Sequence, residues 1–89
     1  MKTIIIDCRR CKTKEETHRY LSKKLCFPPY YGNNLDALND VLTSWEEPVC
    51  FRIRYPSSIK NNLGRYGETL IRVFENAALE NRNLMLEFK

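Results

Sequence analysis

Three short runs rich in β-branched and aromatic residues punctuate this chain, and helix-patterned segments separate them. The runs are Thr3–Ile6 (TIII), Val49–Tyr55 (VCFRIRY) and Asn83–Phe88 (NLMLEF). A strand that is followed by helices before the next strand needs a crossover connection, and crossovers make neighbouring strands parallel. The pattern predicts an α/β fold: a small three-stranded parallel sheet packed with about four helices, ordered β-α-α-β-α-α-β.

The segments between the runs carry their own punctuation. Lys14–Leu25 reads as a helix with Thr17, Tyr20, Leu21 and Leu25 near one face, and Lys23 and Lys24 suit its last turn. Pro28 and Pro29 stop it, and Gly32 permits a sharp turn. Asn33 or Asn34 caps a second helix, from Leu35 to about Trp45. Pro56 opens a short third helix that Gly64 closes. Gly67–Asn81 carries the clearest helical stripe: Leu70, Val73, Phe74, Ala77 and Ala78. TIII reads as a buried strand. In the second strand Val49, Phe51, Ile53 and Tyr55 alternate with Cys50, Arg52 and Arg54.

At 89 residues the chain reads as one domain, 1–89, burying roughly 60–65% of the surface its unfolded form exposes. That supports one modest core and points to function carried on the surface. No run of 18 apolar residues suggests a membrane span. The N-terminal apolar run is too short for a signal-peptide core, so the expected location is cytoplasmic.

The single histidine, His18, reads as a helix-surface or packing residue. Cys8 and Cys11 form a C-x-x-C pair around Arg9 and Arg10, two cations that would favour thiolate. The bland alternative is incidental thiols in the first loop. Cys26 and Cys50 sit beside apolar residues and are expected to pack as small hydrophobes. There is no phosphate loop, paired acid–base motif or complete metal set. The sequence therefore points away from an enzyme and implies no cofactor and no metal.

Charge is distributed unevenly. The formal net charge is +4, yet residues 25–51 contain no Lys or Arg and hold Asp36, Asp40, Glu46 and Glu47. Residues 1–24 carry +5 and residues 52–89 carry +3. On a helical wheel Leu35, Leu38, Val41, Leu42 and Trp45 cluster on one side of the second helix, and Asp36, Asn39, Asp40 and Thr43 on the other. Asp36 and Asp40 are stacked like charges at i and i+4, which costs a few tenths of a kcal/mol. Asp40 is also a poor helix former in mid-helix. A charged helix face is usually just solvated; the alternative is an acidic patch for a cationic partner. Tyr30, Tyr31 and Trp45 flank the patch with the residue types favoured as interface anchors.

The whole stretch, PPYYGNNLDALNDVLTSW (Pro28–Trp45), closely resembles the signature of the barstar family, intracellular inhibitors of barnase-type ribonucleases. It follows the pattern P-x-Y-Y-G-x-N-L-D-A-L-x-D-x-L-T-x-W. The resemblance continues at lower similarity through His18 and Leu21 to VFENA (Val73–Ala77), and covers essentially the whole chain. It implies an inhibitor that lays its second helix and the preceding loop into a ribonuclease cleft lined by Arg, Lys and His. Asp40 would stand in for RNA phosphate, taking charge-assisted hydrogen bonds, and Asp36 would supply a second anion. Tyr30 would pack near the partner's catalytic histidine, and Asn34, Thr43 and Trp45 match other contact positions, with Tyr31 beside them.

Three positions depart from the family pattern. Asn39 stands where the family has Trp, Ser44 where it has Gly, and Asn76 where a last-helix Glu completes the surface. The chain is also basic where barstar itself is acidic. The implied partner is a ribonuclease or nuclease toxin bound 1:1 by a free monomer, with the departures suggesting a less basic one. Two other classes stay open: a barstar-fold adaptor or immunity protein for a different partner, and a nucleic-acid binder using Arg9, Arg10, Lys12 and Lys14 or Arg52 and Arg54. Charge alone argues weakly for the last, and direct nucleic-acid binding is not expected.

Overall fold

The computed structural model describes residues 1–89. The elements are β1 (Lys2–Asp7), α1 (Lys14–Lys24), α2 (Leu35–Thr43), β2 (Val49–Arg54), α3 (Pro56–Leu63), α4 (Arg65–Glu80) and β3 (Leu84–Phe88), with one 3-10 turn, Cys8–Arg10, after β1. The sheet order is β1-β2-β3 and both pairings are parallel. Element order, sheet and helix number are those the sequence predicts.

Register explains which side of the sheet is covered. Ile4 pairs with Phe51 and Phe51 with Leu86; Ile6 pairs with Ile53. Ile4, Ile6, Val49, Phe51, Ile53 and Leu84 are buried. Both crossovers step the same way along the sheet, and right-handed crossovers of that kind stack their helices on one face. The other face is left with Thr3, Ile5 and Met85 exposed, and with Arg52 Nε donating across the strands to Glu87 Oε1 at 2.7 Å. TIII is therefore buried on one side only, which corrects the expectation of a fully buried strand.

Tyr55 also departs from its expected inward position. The strand ends at Arg54, and Tyr55 takes a left-handed conformation (φ 56°) ahead of Pro56. Its exposed ring meets the Arg9 guanidinium at 4.0 Å instead of the core. The core itself centres on Phe51, edge-on to both Trp45 and Phe74. Leu38 and Leu42 of α2, Leu70, Phe74 and Ala77 of α4, and Leu21 of α1 complete it.

Helices α3 and α4 meet at Gly67. A β-carbon there would lie 2.4 Å from the Ile59 carbonyl oxygen. Only glycine lets the two backbones approach this closely.

The thiols favour the incidental reading of Cys8 and Cys11 and correct that of Cys26. Cys8, in the 3-10 turn, and Cys11, which caps it, are completely buried, and burial pushes the Cys8 thiol up to about 12. Arg9 is held by Asp7 and Arg10 lies over the Tyr20 ring, so the intervening cations do not stabilise thiolate. Cys26 does not pack; it is exposed, in a left-handed turn with φ 56°. Cys50 is buried as expected.

Candidate functional site

The loop Pro28–Asn33 leads into α2. The left-handed residue of this turn is Asn33 (φ 54°). Gly32 serves instead as a close-approach point, since a β-carbon there would meet Asn34 Nδ2 at 3.2 Å and the Ala37 β-carbon at 3.4 Å. Asn34 is the cap: its Oδ1 accepts from the Ala37 amide at 2.7 Å, and its Nδ2 donates to the Gly32 carbonyl at 3.2 Å. Its side chain thus shapes the loop as well as capping the start of the helix.

Tyr30 and Tyr31 point opposite ways. Tyr30 is 86% exposed. Tyr31 is buried, packed on Phe27 with ring centroids 4.6 Å apart, and its hydroxyl lies 2.8 Å from His18 Nδ1. Its sequence-predicted place among surface contacts changes accordingly: the Tyr31 ring anchors the loop from inside. His18 is itself buried, and its Nε2 lies 2.6 Å from the Tyr66 hydroxyl on α4. Burial lowers the His18 pKa and raises those of Tyr31 and Tyr66.

Along α2, Asp36, Asp40 and the C-cap Ser44 are exposed, and Asn39 and Thr43 are half-buried. Thr43 Oγ1 donates to the Asn39 carbonyl at 2.8 Å. No cation pairs with Asp36, Asp40, Glu46 or Glu47. Trp45 is half-buried, with one edge on Phe51. Asn76 is exposed on α4, and α4 packs against α2.

The sequence matches the profile of the family described as "Barstar (barnase inhibitor)" over residues 1–89. A protein of Bacillus subtilis (strain 168) named "Putative ribonuclease inhibitor YrdF" is 39% identical over 90 residues, covering 100% of this chain and 96% of that protein. The chain belongs to the barstar family.

In this barstar-family chain the acidic face is held rigid from both ends. Residues outside the sequence-predicted contact set do part of that work. Asn81, just after α4, donates through Nδ2 to the carbonyls of Leu42 at 3.0 Å and Trp45 at 2.9 Å, with Thr43 at 3.3 Å. Asn83 Nδ2 also donates to the Trp45 carbonyl at 3.1 Å. Carbonyls at a helix C-terminus have no partner within the helix, and Asn81 satisfies them from another part of the chain. Its sequence context, ENRN, carries no signal of this. His18 is another, read from the sequence only as a helix-surface or packing residue. Its spacing on α1 places it inward, but nothing local indicates its two tyrosine partners.

Chemically, the face offers unpaired carboxylates on a helix whose backbone is fixed, beside an exposed aromatic ring. That arrangement suits a cationic, preformed surface: ordering cost on binding is low because loop and helix are already locked. No group of three or more His, Cys, Asp or Glu side chains is placed to hold a metal ion.

Proposed function

We propose that this chain inhibits a ribonuclease by covering its active-site cleft with the Tyr30 loop and the acidic face of α2. The observation that carries this reading is the pair Asp36 and Asp40, exposed, unpaired and one helical turn apart on a helix clamped by Asn34 and Asn81. Family membership and the name of the Bacillus subtilis relative support a ribonuclease as the partner.

In this mechanism the Asp40 carboxylate takes the place of an RNA phosphate among the partner's cations, where charge-assisted hydrogen bonds are strongest. Asp36 extends the anionic surface by one turn. Tyr30 packs across the cleft mouth, while Tyr31 holds the loop through His18. Asn34, Asn39, Thr43, Ser44, Trp45 and Asn76 border the contact and tune its specificity. Asn76 offers hydrogen bonds without charge. The inhibitor acts one-to-one, in the cytoplasm, as an immunity protein against a nuclease.

The test is a titration of RNA cleavage by a barnase-type ribonuclease, with wild type and Asp40→Ala side by side. Stoichiometric inhibition by wild type, weakened at least tenfold by the substitution, supports the mechanism; that factor corresponds to about 1.4 kcal/mol. Inhibition that is equal in the two proteins overturns phosphate mimicry by Asp40. No inhibition at micromolar concentration points to a different partner for the same face.

A further inference from the structure

Two clefts border α1 on its outward side, and they share Arg19 and Lys23. One, of about 510 Å3, also includes Arg10, Glu16, Tyr20 and Lys24. The other, of about 500 Å3, runs from Lys14 and Glu15 past Ser22 to Asn33 and Tyr66. Across these two adjoining clefts, five cations face two carboxylates. None of the five makes an ion pair, whereas Arg9, Arg52 and Lys60 are each tied to a carboxylate. Gathering unpaired like charges on one surface does not help the chain fold.

We infer that these clefts together form a groove that binds single-stranded RNA. Its make-up is that of single-strand nucleic-acid sites, cations along a groove with aromatic rings between them. The Arg10 guanidinium sits 5.5 Å from the Tyr20 ring centroid and the Lys14 ammonium 4.6 Å from that of Tyr66. Tyr20 is fixed in turn, its hydroxyl accepting from the Asp7 amide at 2.9 Å. These contacts hold two of the cations at the groove before any ligand arrives. An acidic protein partner fits less well, because lysine is depleted in protein interfaces. RNA is favoured over DNA because Ser22, Asn33 and the Tyr66 hydroxyl border the second cleft, offering partners for a 2′-hydroxyl. Of the basic segments that the sequence marks out, Arg10 and Lys14 line the clefts and are joined by Arg19, Lys23 and Lys24, whereas Arg9 and Arg52 are tied to carboxylates.

The second cleft is walled by Pro28, Pro29 and Asn33 of the Tyr30 loop, but neither cleft includes Asp36 or Asp40, so substitutions can test the two activities apart. The probe is a fluorescent single-stranded RNA oligonucleotide, followed by anisotropy with the full chain at several salt concentrations. With three or four phosphates contacted, affinity falls about 20- to 50-fold between about 50 and 200 mM salt. Arg19→Glu with Lys23→Glu is expected to weaken binding at least tenfold. Arg65→Glu with Arg82→Glu makes the same change in net charge at exposed sites outside the groove, and should cost far less. Asp40→Ala should leave RNA binding intact. No binding at about 50 mM salt, or equal losses in the two double variants, overturns the site. Equal affinity for DNA of the same sequence overturns its assignment to RNA.

Discussion

The Nδ1 atom of His18 lies 2.8 Å from the hydroxyl of Tyr31, which ties α1 to the loop that carries Tyr30. With Nε2 at 2.6 Å from the Tyr66 hydroxyl, the imidazole joins α1, the docking loop and α4. The charged groups around it are few: no carboxylate pairs with it, and the Lys14 ammonium lies over the Tyr66 ring. Burial lowers its pKa below the ordinary 6.5, so the unfolded chain takes up the proton first. Stability is thus full above about pH 6.5 and falls as pH drops through that value towards the depressed folded pKa. Urea unfolding at a series of pH values should show this slope, and His18→Gln should remove its histidine component. An unchanged slope in the variant assigns the pH dependence to other groups.

Asn81→Ala removes a donor shared by the carbonyls of Leu42, Thr43 and Trp45; Leu42 keeps the Trp45 amide and Trp45 keeps Asn83 Nδ2, so the Thr43 carbonyl is left without its donor. The expected cost is about 1–3 kcal/mol, read as a lower urea midpoint. Hydrogen exchange should also rise at the last amides of α2. If α2 is the docking helix, inhibition weakens together with the loosening. Unaltered exchange in α2 contradicts the clamp.

Gly67→Ala pushes a β-carbon to 2.4 Å from the Ile59 carbonyl oxygen and 2.9 Å from its carbon. Backbone cannot step aside as a side-chain tip can. Separating α3 from α4 should cost about 1–3 kcal/mol or more, measured as a drop in Tm. A variant as stable as wild type would mean that the two helices pack less closely.

Thiol chemistry separates Cys26 from the other three. Cys26 is exposed, and Cys8, Cys11 and Cys50 are buried. A thiol reagent should label Cys26 alone in the folded protein and all four after denaturation. Rapid native labelling of Cys8 or Cys11 would contradict their burial and their raised pKa values.

Asp40→Ala should separate binding from stability. The residue is exposed and unpaired. Removing it relieves the repulsion with Asp36 and puts a better helix former in mid-helix, a gain of a few tenths of a kcal/mol. Inhibition should still fall at least tenfold. A loss of stability in this variant would assign Asp40 a structural role.

Local signals made much of this protein legible in its sequence. The three strands, the helices between them and the parallel sheet follow from apolar periodicity and from Pro, Gly and Asn punctuation, which act within a few residues of one another. The exposed pair Asp36 and Asp40 is legible for the same reason, because the i, i+4 spacing fixes their relation once α2 forms. The barstar resemblance was readable in Pro28–Trp45 alone. What only the tertiary structure decided are relations between residues far apart in the chain. Tyr31 turns inward because His18 and Tyr66 meet its loop there, and Asn81 reaches α2 across 39 positions. Arg10 joins Arg19, Lys23 and Lys24 only when the turn after β1 folds against α1. Cys26 falls outside the core because its turn directs it there. Such contacts depend on how strands and helices are stacked, and residue type or spacing along the chain does not encode them separately.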